Sequence, residues 1–242
     1  MSTSRQAITE AIGGRIGAGE WEADHRLPVE RELAELFGCT RITLREALQQ
    51  LEAEGRIYRE NRRGWFVSPP RVRYDPTRIA GFMQYVAAQG RQPRTELLSA
   101  RRQPADASIA AAMAMETGEE VFLLQRRRWI GRRPVLLETN AVRASWAPTL
   151  LQHDLAGSLS TVLNRTLGLY QRSSRLSMHP ASLDRAQAGL LQCTAGTPCF
   201  RLRRVSYDDD GQAVEYDIES WRHDALDVTV QVNAPDAAPQ QG

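Results

Sequence analysis

The run from Arg31 to Gly55 constrains this chain most, because it holds two short apolar periodicities separated by one glycine. In the second, Leu44, Ala47, Leu48 and Leu51 recur at i, i+3, i+4 and i+7, which predicts a helix with one buried face. Arg41, Arg45 and Gln49 fall four residues apart on a different face. Thr40 stands where an N-cap hydroxyl is wanted, and Gly55 stands where a left-handed residue closes a helix. The preceding helix starts near Pro28, with Val29, Leu33, Leu36 and Phe37 as its expected buried residues and Gly38 as its break. Two helices with a tight turn, the second keeping its arginines apart from its leucines, form a helix-turn-helix. Such a recognition helix enters the major groove by its N-terminal end. Thr40, Arg41, Thr43 and Arg45 occupy that end, and Arg31 lies on the helix before it. Arginine pairs bidentately with guanine, while threonine suits a phosphate or a thymine methyl.

Directly after comes Ile57 to Val67, two β-prone runs around the turn residues Asn61 to Gly64, which predicts a hairpin. Arginine far outnumbers acid from Arg56 to Arg73, so this hairpin is a basic wing. Arg62, Arg63 and Gly64 at its tip are expected along the DNA backbone or minor groove. Asp24 to Ala34, Thr40 to Arg45 and Gly64-Trp-Phe-Val67 closely resemble the winged helix of GntR-family bacterial regulators. That resemblance covers about the first seventy residues. It implies operator contacts from the positions of Arg31, Thr40, Arg41, Thr43, Arg45 and Gly64. Two departures stand out: Val29 where the family often has a capping serine, and Arg62-Arg63-Gly64-Trp65 where its wing often has a second glycine.

The 242 residues suit one large domain or two small ones, and the net charge of +2 confines basic character to one region. Cys39, Cys193 and Cys199 are few, odd in number and without metal-ligand spacing, as suits a reducing cytoplasm. The four histidines are scattered, no cofactor motif appears, and no apolar run approaches the roughly 20 residues of a membrane span. Neither metal nor cofactor is expected, nor a membrane partner.

Pro69-Pro70 and Asp75-Pro76 mark a linker. The expected division is a DNA-binding head over 1–69, a linker over 70–79, an effector and dimerisation domain over 80–232, and a flexible tail over 233–242. Ile79, Phe82, Met83, Val86 and Ala87 give a helical stripe, and Ala105 to Glu116, Leu159 to Leu167 and Ser182 to Leu191 predict three more helices. Strands are expected at Leu97 to Arg101, Val121 to Ile130, Val135 to Val142, Arg172 to His179, Cys199 to Tyr207, Ala213 to Trp221 and Val228 to Val232. Antiparallel strands with interspersed helices define an α+β fold. The hairpins Val121 to Val142 and Cys199 to Trp221 look alike, each a strand, a turn and an acid-bearing return strand. Arg126 and Arg128 alternate onto one face, Glu138 lies on the return strand, and Glu215, Asp217 and Glu219 share a face of theirs. A sheet carrying both predicts a pocket for a small ligand with an anionic end and a cationic or polyol end.

Glu138, Gly157-Ser158-Leu159 and Val214 to Arg222 resemble the UTRA effector domain of the HutC subfamily, a chorismate lyase-like fold. The resemblance implies that Arg126, Arg128 and Ser158 hold an anionic group while Glu138, Glu215 and Trp221 line the rest. Arg172 or Arg175 would add a further anion contact. A wider resemblance, carried by Arg62 to Pro69, Asp75-Pro-Thr77, Gln89-Gly-Arg91, Leu97-Leu-Ser99, Ser177-Met178 and Trp221 to Asp224, extends to regulators of 2-aminoethylphosphonate degradation operons. It implies a homodimeric repressor that reads a palindromic operator of double-stranded DNA and is released by 2-aminoethylphosphonate. A sugar phosphate or an amino acid fits the same pocket chemistry. An enzyme is not expected, because no nucleophile–base pair, metal cluster or cofactor motif accompanies the fold. The β-rich second half also argues against an all-helical metal sensor.

Overall fold

The computed structural model describes residues 4–60, 62–78 and 80–232. The wing-tip residue Asn61, Ile79 of the expected helical stripe and the tail 233–242 lie outside the described residues. The head is built from α1 (Arg5–Gly17), α2 (Glu30–Leu36), α3 (Arg41–Ala53) and the hairpin β1 (Ile57–Glu60) and β2 (Gly64–Val67). Its core joins Ile8 and Ile12 of α1 to Leu33, the leucines of α3, Ile57, Trp65 and Val67. α1 is not apparent from the sequence, because Gly13, Gly14 and Gly17 lower helix propensity. Gly13 has its reason: a Cβ there would collide with the Arg56 guanidinium, which donates to the Gly13 carbonyl.

α3 matches its expected stripe, with Leu44, Ala47, Leu48 and Leu51 all buried, and Thr40 caps it by accepting from Thr43 N at 3.2 Å. α2 corrects the expectation for its own helix. Val29 and Leu36 are 47% and 52% exposed, since so short a helix buries one row, here Leu33 and Ala34. Residues 25–27 add a third strand-like segment to the wing, through Leu27 N to Trp65 O and Val67 N to His25 O, both 2.9 Å.

The second part holds a six-stranded antiparallel sheet of order β4-β5-β6-β9-β8-β7. Its strands are β4 (Pro93–Pro104), β5 (Glu120–Ile130), β6 (Arg133–Arg143), β7 (Ser173–Ser182), β8 (Pro198–Tyr207) and β9 (Ala213–Arg222). With α5 (Ala107–Met113) after β4 and α7 (Arg185–Leu190) after β7, the sheet is two copies of strand, helix, strand, strand. They meet antiparallel along β6 and β9. The resemblance between the two hairpins therefore extends to a third strand and a helix in each half.

β3 (Val72–Tyr74) pairs in parallel with β10 (Leu226–Val228). The linker thus carries a strand with Val72 and Tyr74 buried. The last strand is Leu226–Val228, so the expected strand Val228 to Val232 lies too late in the chain and shares only Val228 with it; β3 pairs with these three residues, and Val230 and Val232 are exposed.

One sheet face packs α5, through Ile109 and Met113 on Val121, Leu123, Ala141, Val205 and Tyr216. The other face is apolar at both ends. At one, Leu136, Leu202 and Trp221 meet α4 (Phe82–Ala87). At the other, Phe122, Leu124 and Val142 meet Leu150, Leu159 and Leu163. The expected helix Leu159 to Leu167 is one α-helical turn, α6 (Leu159–Thr161), running into a wider π-turn at Val162–Thr166. Between the two apolar ends the face is charged.

Candidate functional site

The recognition face comes first. Arg31 and Arg41 are exposed, and Thr40 and Thr43 share a 2.9 Å hydroxyl contact at the start of α3. Arg45 Nε donates to Glu30 Oε2 at 2.7 Å, and Trp65 Nε1 donates to the other oxygen at 3.3 Å. Burial alone would raise the Glu30 carboxyl, yet these two donors hold it below the ordinary range. Arg45 is thereby oriented by the wing strand. At the wing tip Arg62 has φ 63° and Gly64 φ 101°, and Arg63 pairs with Glu60. Replacing Thr40 by alanine removes the cap and is expected to cost about 1 kcal/mol, read as a lower urea midpoint, before any loss of DNA affinity.

The head rests on the sheet through a buried ionic cluster. Asp224 pairs with Arg133 and, at 3.3 Å, with Arg222, and all three side chains are at most 4% exposed. The Tyr58 ring of β1 lies against both guanidiniums, 4.0 Å from Arg133 and 5.5 Å from Arg222, and its hydroxyl donates to Asp24 at 3.0 Å. The next contact falls on the recognition helix itself. A ring nitrogen of His223 lies 3.0 Å from the Glu52 carbonyl, and Arg71 donates to the Glu54 carbonyl at 3.2 Å. Cationic or donor groups at a helix C-terminus are favourably placed.

The charged middle of the sheet is the second site. Strand register lays it out in rows: Arg126, Glu138 and Glu219 across β5, β6 and β9, then Asn140, Asp217 and Arg204 across β6, β9 and β8. Glu138 Oε2 receives Arg126 Nη2 at 2.9 Å, Arg128 Nη2 at 2.7 Å and Arg128 Nε at 2.9 Å. Arg126 Nε donates to Asn140 Oδ1 at 3.0 Å, while Arg126 Nη1 is buried with no hydrogen-bond partner among the described residues. Arg204 Nη2 donates to Glu219 Oε1 and Trp221 Nε1 to its other oxygen, at 2.9 and 2.6 Å. Burial nevertheless raises Glu219, to about 7. The row opens into an inner chamber of about 40 Å³ under Phe82 and Tyr85, and then into an outer one of about 450 Å³. The outer walls are hydroxyl- and amide-rich, with Ser160, Thr161, Asn164, Ser173 and Ser174. Ser158, which also caps α6, lines both chambers.

Of the residues expected at the pocket, Arg126, Arg128, Glu138, Ser158 and Glu215 line it together. Trp221 lies beneath, buried against Phe82 and bonded to Glu219. Arg172 and Arg175 do not reach it. Arg172 is exposed and paired with Asp209 at 3.0 Å, and Arg175 is exposed on the edge strand β7. Their place is taken by Arg204, one strand further in. Gln171, Asp217 and Glu219 complete the inner wall, and the buried Asn140 bonds to its Arg126, Glu215 and Asp217. The carboxylates of Glu138, Asp217 and Glu219 lie within 4.8 Å of one another, a spacing that suits a cation. Glu138 and Glu219 are already taken by guanidiniums, however, which disfavour a divalent metal ion there.

A winged head that presents exposed arginines, seated on a sheet with a charged cavity, is the architecture of a DNA-binding transcriptional regulator. Residues 4–67 match the bacterial regulatory proteins of the gntR family and residues 88–227 match the UTRA domain, so the chain belongs to the GntR family, in its UTRA-bearing branch. It is 30% identical to the uncharacterized HTH-type transcriptional regulator YihL of Escherichia coli K12, over 86% of this chain and 88% of that one. It is 26% identical to the HTH-type transcriptional repressor NagR of Bacillus subtilis, over 90% and 89%. The structure of PhnF from Mycobacterium smegmatis superposes with a TM-score of 0.67 at 28% identity, covering 96% of this chain and all of that one. Among the described residues no helix is long and apolar enough to cross a membrane.

Proposed function

We propose that this protein is a cytoplasmic, homodimeric repressor whose grip on a palindromic operator is released by a small anionic effector, with 2-aminoethylphosphonate as the leading candidate. On this reading residues 1–69 read the DNA, 70–79 connect, and 80–232 bind the effector and dimerise. Arg31, Thr40, Arg41, Thr43, Arg45, Arg62, Arg63 and Gly64 contact DNA. Arg126, Arg128, Ser158, Glu138 and Glu215 meet the effector, with Trp221 as its floor. The single observation behind it is Arg126 Nη1, which is buried with no hydrogen-bond acceptor among the described residues, on an arginine that lines the inner chamber. A buried donor without a partner is costly, and an anionic oxygen satisfies it. The name of NagR as a repressor supports the sign of regulation. A ligand acts on the heads only through different affinity for their two arrangements. The His223, Arg71 and Tyr58 contacts join the sheet to the heads.

The test is fluorescence anisotropy of a promoter fragment from beside the protein's own gene, titrated at fixed salt with and without 2-aminoethylphosphonate. Tight binding weakened by the phosphonate is expected. Binding that ignores it removes this effector. The hydroxyl-lined outer chamber favours a second candidate, a sugar phosphate, which the same titration tests.

A further inference from the structure

The cavity has more buried carboxylates than its arginines can neutralise. Glu138 is held by Arg126 and Arg128, and Glu219 by Arg204. Glu215 and Asp217, each 4% exposed, make no ion pair among the described residues. Their partners are amides. Asn140 Nδ2 donates to Glu215 Oε1 at 2.9 Å and also to Asp217, and Gln171 Nε2 donates to the second Glu215 oxygen. The same Asn140 accepts from Arg126 through its oxygen, and Arg126 keeps Nη1 unpartnered. One amide therefore bridges a guanidinium that keeps an unsatisfied nitrogen and two carboxylates that have no ion-pair partner among the described residues.

We propose that Glu215 and Asp217 form an ammonium site, so that the cavity selects short zwitterions, with an anionic group on Arg126 and a protonated amine on this carboxylate pair. This rests on the reading above that the cavity takes an anionic effector; the residues that choose among anions are the addition. Asp217 is the selector, since it stands between Glu215 and Glu219 on β9 and opposite Asn140 and Arg204 in the register.

Asp217, buried beside Glu215 and sharing its amide donor, is the carboxyl that keeps a proton in the ligand-free site. Burial first, and Glu215 second, push the Asp217 carboxyl well up; Arg204 opposes this. The other charged groups facing the pair are Arg126 and Arg128 on β5, Glu138 on β6 and Glu219 on β9, with the phenols of Tyr74 and Tyr85 nearby. An arriving ammonium takes the place of that proton, which leaves to solvent, so charge is conserved in the site. Binding of an amine therefore strengthens as pH rises, relative to the same ligand without its amine.

The experiment is isothermal titration calorimetry of the full chain with matched pairs: 2-aminoethylphosphonate against ethylphosphonate, and β-alanine against propionate. Each titration is repeated in buffers of different ionisation enthalpy. The expected result is that the aminated member of at least one pair binds at least about tenfold tighter. It should release about one proton, and its advantage should grow with pH. Asp217→Asn should abolish both the preference and the proton release while keeping ethylphosphonate. The wild-type comparison decides the matter even if that variant does not fold. Equal binding within each pair, or amine binding without proton release, overturns the ammonium site and leaves the anion site standing. Failure of all four ligands to bind the folded wild-type chain overturns the anion reading and this inference with it.

Discussion

Glu138→Ala should lower the unfolding free energy by about 3–5 kcal/mol, because it strands two buried guanidiniums that share one carboxylate. The cost lies in what remains: Arg126 and Arg128 are 2% and 4% exposed and lose the carboxylate they share. Glu138→Gln keeps an acceptor oxygen and should fall between alanine and wild type. Urea denaturation reads the order directly, and an unchanged midpoint for alanine would show that the pair carries no net stability. The pH dependence follows from the same geometry. Burial alone would raise the Glu138 carboxyl, but Arg126 and Arg128 hold it at about 2, against 4.5 in the unfolded chain. A depressed folded value means that the contribution is complete above pH 4.5 and is lost as pH falls from there toward 2. The gap between wild type and Glu138→Gln should shrink across that window.

The second large effect is expected from Asp224→Asn. Its carboxylate is the common partner of Arg133 and Arg222, which hold it far below the ordinary range although burial pushes the other way. Neutralising it leaves two buried arginines facing each other beside Tyr58, again at a cost of about 3–5 kcal/mol. Here the damage should spread into the head. Hydrogen exchange should speed up in β1 and at the C-terminal turn of α3. Operator affinity should survive while its response to effector weakens, since the surface that couples sheet to head has lost its anchor. Head exchange rates equal to wild type would disprove that coupling role.

What could be read from the residues was whatever repeats along one element. The stripe of α3 and the arginines beside it follow from a 3.6 period, and Arg126, Arg128, Glu138 and Glu215 follow from strand alternation. What failed needed knowledge across elements. Arg172 and Arg175 look as suitable as Arg204 until the pairing of β8 with β9 puts Arg204 opposite Asp217, while β7 forms the sheet edge and leaves the other two outside. Asn140 carries no charge to draw attention, yet it connects the two ends of the cavity. α1 hides behind its glycines, and the Asp224 cluster unites residues from opposite ends of the chain. Short strands such as β3 exist only because a distant partner pairs with them.

The doubled sheet divides the cavity's labour. Arg126, Arg128, Glu138 and Asn140 come from the first strand–helix–strand–strand unit, whereas Arg204, Glu215, Asp217 and Glu219 come from the second. The seam between β6 and β9 is where the two contributions meet. Under the ligand reading given above, one unit addresses the anion and the other addresses what is attached to it. A lineage can then retool the attachment by changing inward positions on β8 and β9 alone, leaving the anion cradle and its supporting helix untouched. Effector choice becomes a property inherited half at a time.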